Sequence, residues 1–389
     1  MAELNQTPSG ERIHIGIFGR RNAGKSALIN ALTGQNLAIV SDVAGTTTDP
    51  VSKAMELLPL GPVIITDTPG LDDVGTLGEM RVEKTRGVLA KTDIAIIVID
   101  ASRGISEYET ELLDEVKSRN IPYITVYNKC DLVNIDSPDA VCVSAATGMG
   151  IESLKEKLSK FSQKDSEQRL IADLVERGDI VILVTPIDAS APKGRLILPQ
   201  QQVIRDLIEA GAMPLVCRET ELESALEKVK AKMVVTDSQV FGMVSKMIPE
   251  NIPLTSFSML MARYKGNFAE AVKGAAALDT IKDGDKILIS EGCTHHRQCE
   301  DIGTVKLPMW IRKHTGAEPE FVFTSGTEFP TDLSEYKMVI HCGGCTLNQR
   351  ELAHRYGLAG KAGLPITNYG VAIAHMHGIL ERASKPLLK

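Results

Sequence analysis

The sequence predicts an α/β protein of three successive domains, and three observations predict it. Short apolar runs recur from Ile13 to Ile340, and helical spacing follows many of them, as in parallel sheets with crossover helices. A glycine-rich loop of the phosphate-binding type directly follows the first run. Late in the chain, two more apolar runs end in cysteine and histidine, where an open parallel sheet places its ligands. The divisions read from the sequence are an N-terminal domain at 1–164, a small parallel α/β middle domain at 165–264 and a C-terminal α/β domain at 265–389.

Bulk properties bound the answer. A chain of 389 residues is long enough for two or three separate cores. Hydrophobic content of 43% and charged content of 24% are those of a soluble globular protein. A formal net charge of −7 argues against a general binder of nucleic acid or anionic membranes. No apolar run is long enough to span a bilayer, and Met1 to Arg12 lacks a signal-peptide core, so a cytoplasmic protein is expected. In that reducing compartment the seven cysteines do not form a disulfide framework. Cys130, Cys142 and Cys217 sit beside apolar or β-branched residues and read as inert core thiols. Cys293, Cys299, Cys342 and Cys345 share the last quarter with seven of the eight histidines, which points to a metal site there.

The N-terminal domain is the most explicit. Ile13 to Phe18 is an apolar strand that runs into Gly19-Arg20-Arg21-Asn22-Ala23-Gly24-Lys25-Ser26, which fits G-x-x-x-x-G-K-[ST], and a helix follows from Ala27 to Leu32. Backbone N–H groups from Asn22 to Ala27 would wrap a phosphate at the helix's positive end. Lys25 would reach the β- and γ-phosphates, and Ser26 would ligate Mg²⁺. The strand Val63 to Thr66 ends in Asp67-Thr68-Pro69-Gly70, where Asp67 would hold Mg²⁺ through water and the Gly70 amide would sense the γ-phosphate. Ile94 to Ile99 is a further strand, and Ile121 to Tyr127 leads into Asn128-Lys129-Cys130-Asp131, an N-K-x-D sequence. The Asp131 carboxylate can accept from guanine N1 and the exocyclic amine, a pairing adenine does not offer. Ala140 to Val143 leads into Ser144-Ala145-Ala146, whose backbone would meet guanine O6. Together these motifs specify a P-loop GTPase domain using GTP and Mg²⁺.

The same residues resemble the translation-factor-like branch of P-loop GTPases, particularly its potassium-activated members. The resemblance implies that Asp42-Val43-Ala44-Gly45-Thr46-Thr47-Thr48-Asp49 is switch I, with Thr47 ligating Mg²⁺, and that Asn22 helps hold K⁺. A monovalent cation there would stabilise transition-state charge. Leu71 follows Asp67-Thr68-Pro69-Gly70 where Ras-like proteins carry a water-orienting glutamine, and an apolar side chain cannot orient water. Glu79 lies at the switch II offset where a glutamate does so in the potassium-activated relatives. Slow intrinsic turnover is expected.

After the polar stretch Ser162 to Gln168, the middle domain reads as strand Ile180 to Thr185, helix Gln201 to Glu209, strand Met213 to Cys217, helix Glu219 to Val229 and strand Met233 to Thr236. No phosphate loop or catalytic cluster falls in it. Asp188, Lys193 and Arg195 read as structural or interfacial. The middle domain is expected to serve dimerisation in a homodimer, and Leu254 to Tyr264, apolar and methionine-bearing, is expected to pack on a partner.

In the C-terminal domain, strand Lys286 to Ser290 ends in Glu291-Gly292-Cys293-Thr294-His295-His296, and strand Lys337 to Ile340 ends in His341-Cys342-Gly343-Gly344-Cys345. A helix is expected from Leu347 to His354, and its positive end should ease ionisation of the thiols. A lone C-x-x-C is compatible with a redox pair or a zinc half-site. Parallel strand ends share one edge, however, so Cys293 is expected to meet Cys342 and Cys345. Three thiolates suggest a 4Fe–4S cluster with one iron open, with zinc held by Cys₃His through His295 or His341 as the rival.

C-x-H, a long spacer, then H-C-x-x-C resembles the signature of the HydF family, GTPases that mature FeFe-hydrogenase. Thr294-His295-His296-Arg297-Gln298-Cys299, Pro365-Ile366-Thr367-Asn368-Tyr369-Gly370 and Pro199-Gln200 are similar to that family too, and the resemblance covers all three domains. It implies a C-terminal iron–sulfur domain in which Cys293, Cys342 and Cys345 bind a 4Fe–4S cluster, with Glu291, His295 or His341 as candidate fourth ligand. It further implies a scaffold that holds a diiron precursor and delivers it to the apo FeFe-hydrogenase, with the radical-SAM maturases as other partners. Cys299 is read as structural. His296, Arg297 and His314 are expected at the entrance, and His354, His375 and His377 in the core or on the surface. The competing reading is a ribosome- or tRNA-associated GTPase with a zinc-stabilised C-terminal domain. It lacks a basic, aromatic-interleaved stretch in the C-terminal half, and no nucleic-acid partner is expected.

Overall fold

The computed structural model describes residues 7–34, 50–69, 84–133, 135, 141–162, 169–187, 196–293, 301–326 and 328–388. They fall into two compact units, Met1–Asp165 and Ser166–Lys389. Among the described residues no helix is long and apolar enough to cross a membrane.

The first unit is a six-stranded sheet in the order β2-β3-β1-β4-β5-β6, formed by β1 (Ile13–Phe18), β2 (Val51–Leu57), β3 (Gly61–Asp67), β4 (Ile94–Asp100), β5 (Tyr123–Asn128) and β6 (Val141–Cys142). Its helices are α1 (Lys25–Thr33), α2 (84–90), α3 (Glu107–Ser118) and α4 (Ile151–Ser162). All neighbours are parallel except β2, which runs antiparallel to β3. Every residue of β4 is buried, which its unbroken apolar sequence requires of a strand covered on both faces. β2 is the strand that sequence reading passes over. It sits at the sheet edge, mostly exposed, and Lys53 and Glu56 interrupt its apolar pattern.

The second unit contains two four-stranded parallel sheets that share one hydrophobic core. The first, ordered β10-β9-β7-β8, uses β7 (Ile180–Val184), β8 (Met213–Cys217), β9 (Ala231–Thr236) and β10 (Leu254–Ser256). The second, ordered β12-β11-β13-β14, uses β11 (Lys286–Glu291), β12 (Glu320–Ser325), β13 (Met338–His341) and β14 (Ile366–Asn368). The helices are α5 (Leu198–Glu209), α6 (Leu222–Lys228), α7 (Phe241–Met247), α8 (Phe257–Tyr264), α9 (Phe268–Ala275), α10 (Leu307–Thr315), α11 (Gln349–Lys361), α12 (Tyr369–Met376) and α13 (Leu380–Ser384).

One expectation is corrected here. The apolar stretch from Leu254 to Tyr264 does not form a surface for a partner: Leu254, Phe257, Met259, Leu260 and Met261 are buried in this chain's own core. Its first residues pair with β9, and α8 then packs beneath both sheets, so the shared core consumes the apolar side chains.

Candidate functional site

The first unit presents its chemistry at the carboxyl ends of β1, β3 and β5. The loop after β1 is shaped by left-handed backbone at Asn22 (φ 62°) and Gly24 (φ 90°), and α1 begins at Lys25. A side chain at Gly24 would meet Asn128 Nδ2 at 2.1 Å, so the close approach of the two loops requires glycine. Asn128 ties three segments together. Its Nδ2 donates to Ala23 O at 2.9 Å and its Oδ1 accepts from the Ala145 amide at 3.0 Å. Ser144 is buried, and Lys129 (φ 69°) donates to Asp100 Oδ2 at 2.6 Å. Asp131 is exposed beyond that turn, and Asn22 is exposed on the loop.

Lys25 is buried in the loop, where Nζ donates to Gly19 O (2.8 Å) and Arg20 O (2.9 Å). Ser26, at the start of α1 beside Ala27, donates its hydroxyl to Asp67 Oδ2 at 2.6 Å. The other carboxylate oxygen, Oδ1, is buried with no hydrogen-bond partner among the described residues. Burial raises the Asp67 pKa, against the Ser26 hydrogen bond and the Lys25 charge. A hydroxyl beside a carboxylate with an unsatisfied buried oxygen is a donor set that fits a hard divalent cation. Thr47, Gly70 and Glu79 lie outside the described residues, as does the rest of 42–49.

In the second unit β11 and β13 are neighbours in register, Ser290 opposite His341, so their carboxyl ends deliver Cys293 and Cys342 to one edge. The Gly292 amide donates to Cys342 Sγ at 3.0 Å and the Gly344 amide at 3.4 Å. Thr346 Oγ1 donates to Gly292 O at 2.8 Å, closing the two strand-end loops on each other. Gly344 (φ 64°) supplies the left-handed turn between Cys342 and Cys345. Sulfurs that accept backbone N–H groups are a donor set that fits an iron–sulfur cluster.

The expected easing of thiol ionisation does not appear. Burial pushes the Cys342 and Cys345 thiols up to about 11. α11 starts only at Gln349, where the Asn348 side chain accepts the Glu351 amide. Opposing the rise at Cys345 is the positive charge of buried Lys265, whose Nζ donates to Leu347 O at 2.8 Å.

Glu291 is not an exposed strand-end acid. It is 4% exposed, and Tyr369 donates its phenolic hydroxyl to Oε1 at 3.1 Å. Burial, then the Glu291 charge, drives the Tyr369 pKa well up, so it stays a donor. His341 is fully buried. Arg355 Nη1 lies 3.1 Å from Nε2, and a guanidinium only donates, so Nε2 accepts and the ring proton sits on Nδ1, 2.8 Å from Cys342 O. Burial and then the Arg355 charge lower its pKa to about 3. Both nitrogens are thus engaged, and neither directs a lone pair at the thiols. His295, His296, Arg297 and Cys299 lie outside the described residues.

His314 does not line an entrance. α10 and α12 start beyond the carboxyl ends of β11 and β14 and run back, so His314 and His375 finish at the opposite edge of the sheet. Lys265 and Arg355 are partners that the sequence reading did not name, and Tyr369 stood there only within the stretch Pro365 to Gly370, with no role given. For Arg355 the visible signal was its i,i+4 spacing from Glu351.

Two family models match the second unit: the hydrogen maturase F dimerization domain over residues 170–266 and the hydrogen maturase F tetramerization domain over 269–386. A third, the 50S ribosome-binding GTPase, matches residues 14–129. Among curated proteins, the tRNA modification GTPase MnmE of Endomicrobium trichonymphae is 37% identical over 178 residues, covering 41% of this chain and 38% of that protein. GTPase Der of Wolinella succinogenes is 33% identical over 185 residues, covering 43% and 39% respectively. The chain therefore spans about two fifths of the length of these relatives. Among solved structures, Era of Aquifex aeolicus aligns at 21% identity over 53% of this chain and 94% of that one, with a TM-score of 0.35.

Proposed function

We propose, from the premise that this chain belongs to the hydrogen maturase F family, that it is a GTP-hydrolysing scaffold which carries a 4Fe–4S cluster and a diiron cargo. The N-terminal unit is a GTPase domain. On this reading Ser26, Asp67 and Thr47 hold Mg²⁺, Lys25 binds the phosphates, Asn22 contributes to a K⁺ site and Glu79 orients water. Asn128 couples base recognition to the phosphate loop, because it is bonded to Ala23 on one side and Ala145 on the other. The backbone of Ser144 and Ala145, with Lys129 and Asp131, would surround guanine.

The observation that carries the cluster reading is the meeting of two strand ends at Cys342, whose sulfur accepts the Gly292 amide one residue before Cys293. Cys293, Cys342 and Cys345 would hold the cluster, which when bound supplies an iron with one exchangeable position. Of the candidates for that position, Glu291 has the stronger support. It precedes Cys293 by two residues on the same strand end, and a carboxylate is displaced from iron more easily than a thiolate. Tyr369 would hold its carboxylate in place, while His341 acts beneath the thiols as a strut. The cargo is the diiron precursor with its CO, cyanide and dithiolate ligands, the suppliers are the radical-SAM maturases, and the recipient is the apo FeFe-hydrogenase.

The domain names of the two matches support a homo-oligomer. An edge strand, β8, with exposed Met213 and Val216 beside exposed Ile208, is consistent with a second copy pairing there. The tRNA- and ribosome-named relatives match the N-terminal unit alone, so they support GTP hydrolysis and not a nucleic-acid target. The test is transfer. Cargo-loaded chain mixed with apo FeFe-hydrogenase should produce hydrogen evolution, and Cys293→Ser, Cys342→Ser and Cys345→Ser should each abolish it. Full activation by these three variants would overturn the reading.

A further inference from the structure

Away from both sites, three side chains from separate elements converge on one point. Asp279 lies on a 3₁₀ turn (Ala276–Thr280) ahead of β11, His314 in the last turn of α10 and His375 in the last turn of α12. His314 Nε2 is 2.8 Å from Asp279 Oδ1, and His375 Nε2 is 3.1 and 3.0 Å from Oδ1 and Oδ2. One ligand atom from each residue falls within 4.8 Å of the other two. The rings meet edge to face with centroids 5.8 Å apart, so both present the same nitrogen to the same carboxylate. We infer that Asp279, His314 and His375 form a binding site for a zinc-class divalent cation, on the sheet edge opposite the cysteines.

The donor set and its geometry carry this. Two imidazoles and a carboxylate are the three-ligand complement of open zinc sites, with the fourth position left to water or a partner group. Zinc–nitrogen and zinc–oxygen bonds of about 2.0–2.2 Å in a tetrahedron put neighbouring ligand atoms roughly 3.3 Å apart. The His–Asp separations need widen by only a few tenths of an ångström to reach that. On binding, each imidazole shifts its proton to Nδ1, and the Nε2 lone pair faces the ion. Both helices end at the site, so the negative ends of two dipoles favour a cation there. Arg312, two residues before His314 on α10, is drawn away to Glu318 at 2.8 Å.

At 20–25% side-chain exposure for the histidines and 55% for Asp279, an ion can enter without unfolding anything. A bound ion would join the segment before β11 to the ends of α10 and α12.

The test uses the full-length, cluster-reconstituted chain, dialysed against micromolar Zn²⁺ or Co²⁺. One equivalent beyond the iron is expected, and the Co²⁺ spectrum should show ligand-field bands without thiolate charge transfer. His314→Gln and His375→Gln, which keep a polar side chain, should each weaken affinity on the order of 100-fold. GTP hydrolysis should be unchanged in both. Zn²⁺ should raise the unfolding temperature of the wild type and not of either variant. No equivalent beyond the iron, a thiolate-type Co²⁺ spectrum, or equal affinity in wild type and variants would each overturn the site.

Discussion

Replacing Arg355 by methionine should cost the second unit about 3–5 kcal/mol, the typical penalty for breaking a buried ion pair by deleting one partner. Arg355 is 1% exposed and donates to Glu351 Oε1 and Gly326 O at 2.7 Å, to His341 Nε2 at 3.1 Å and to Ser290 Oγ at 3.3 Å. Methionine fills the stem's volume and removes every one of these donors. Glu351 is then left as a mostly buried carboxylate without its cation, and the acceptors on His341 and Gly326 lose a partner. Each such acceptor alone costs about 1–3 kcal/mol, and the contributions overlap because the network relaxes together. Trp310, the single tryptophan, packs against the second unit's core and reports on that unit alone. With a urea dependence of about 2–3 kcal/mol per molar, its fluorescence midpoint should fall by roughly 1–2.5 M. Adding Glu351→Leu should recover most of the loss, since no charge is then stranded. An unchanged midpoint in Arg355→Met, or a double variant no better than the single, would refute the reasoning.

Other outcomes follow from the first unit. Gly24→Ala should weaken GDP binding at least tenfold, about 1.4 kcal/mol, in a calorimetric titration, while leaving the Trp310 transition in place; its Cβ would meet Asn128 Nδ2 at 2.1 Å in left-handed backbone. At Asp100 burial acts to raise the pKa, but hydrogen bonds from Lys129 and Ser102 outweigh it and hold the carboxyl below its ordinary range. Its stabilisation is therefore full above about pH 4 and is lost as pH falls further; an acid titration should find Lys129→Met less sensitive than wild type in that window. GTP turnover should be faster in K⁺ than in equimolar Na⁺, and equal rates would remove Asn22 from a cation site.

How much of this was legible in the sequence depended on whether a signal was local. Buried central strands such as Ile94–Asp100 and Ile180–Val184 announce themselves, because both faces must be apolar. Edge strand Val51–Leu57 does not, since one face meets water and charges interrupt it. The three-residue β10 was hidden inside an apolar stretch whose length suggested an external partner instead of a shared core. The phosphate loop is contiguous, so its residues could be named in order. The cysteine site is not: Lys265 and Tyr369 reach it from distant segments, and no spacing rule links them to Cys342. Thiol chemistry was misjudged for a related reason, because a helix end was visible in the sequence and burial was not. Asp279, His314 and His375 lie 35 and 96 residues apart in pairs, and the parallel topology alone joins them.

The central claim is that three strand-end thiols hold an iron–sulfur cluster in a GTPase scaffold, and anaerobic reconstitution with iron and sulfide tests it most directly. The account predicts a brown protein with about four irons per chain. It should show the reduced EPR signal of a 4Fe–4S cluster, altered in Glu291→Gln and lost in Cys342→Ser. A colourless protein whose zinc is released by Cys342→Ser would contradict it.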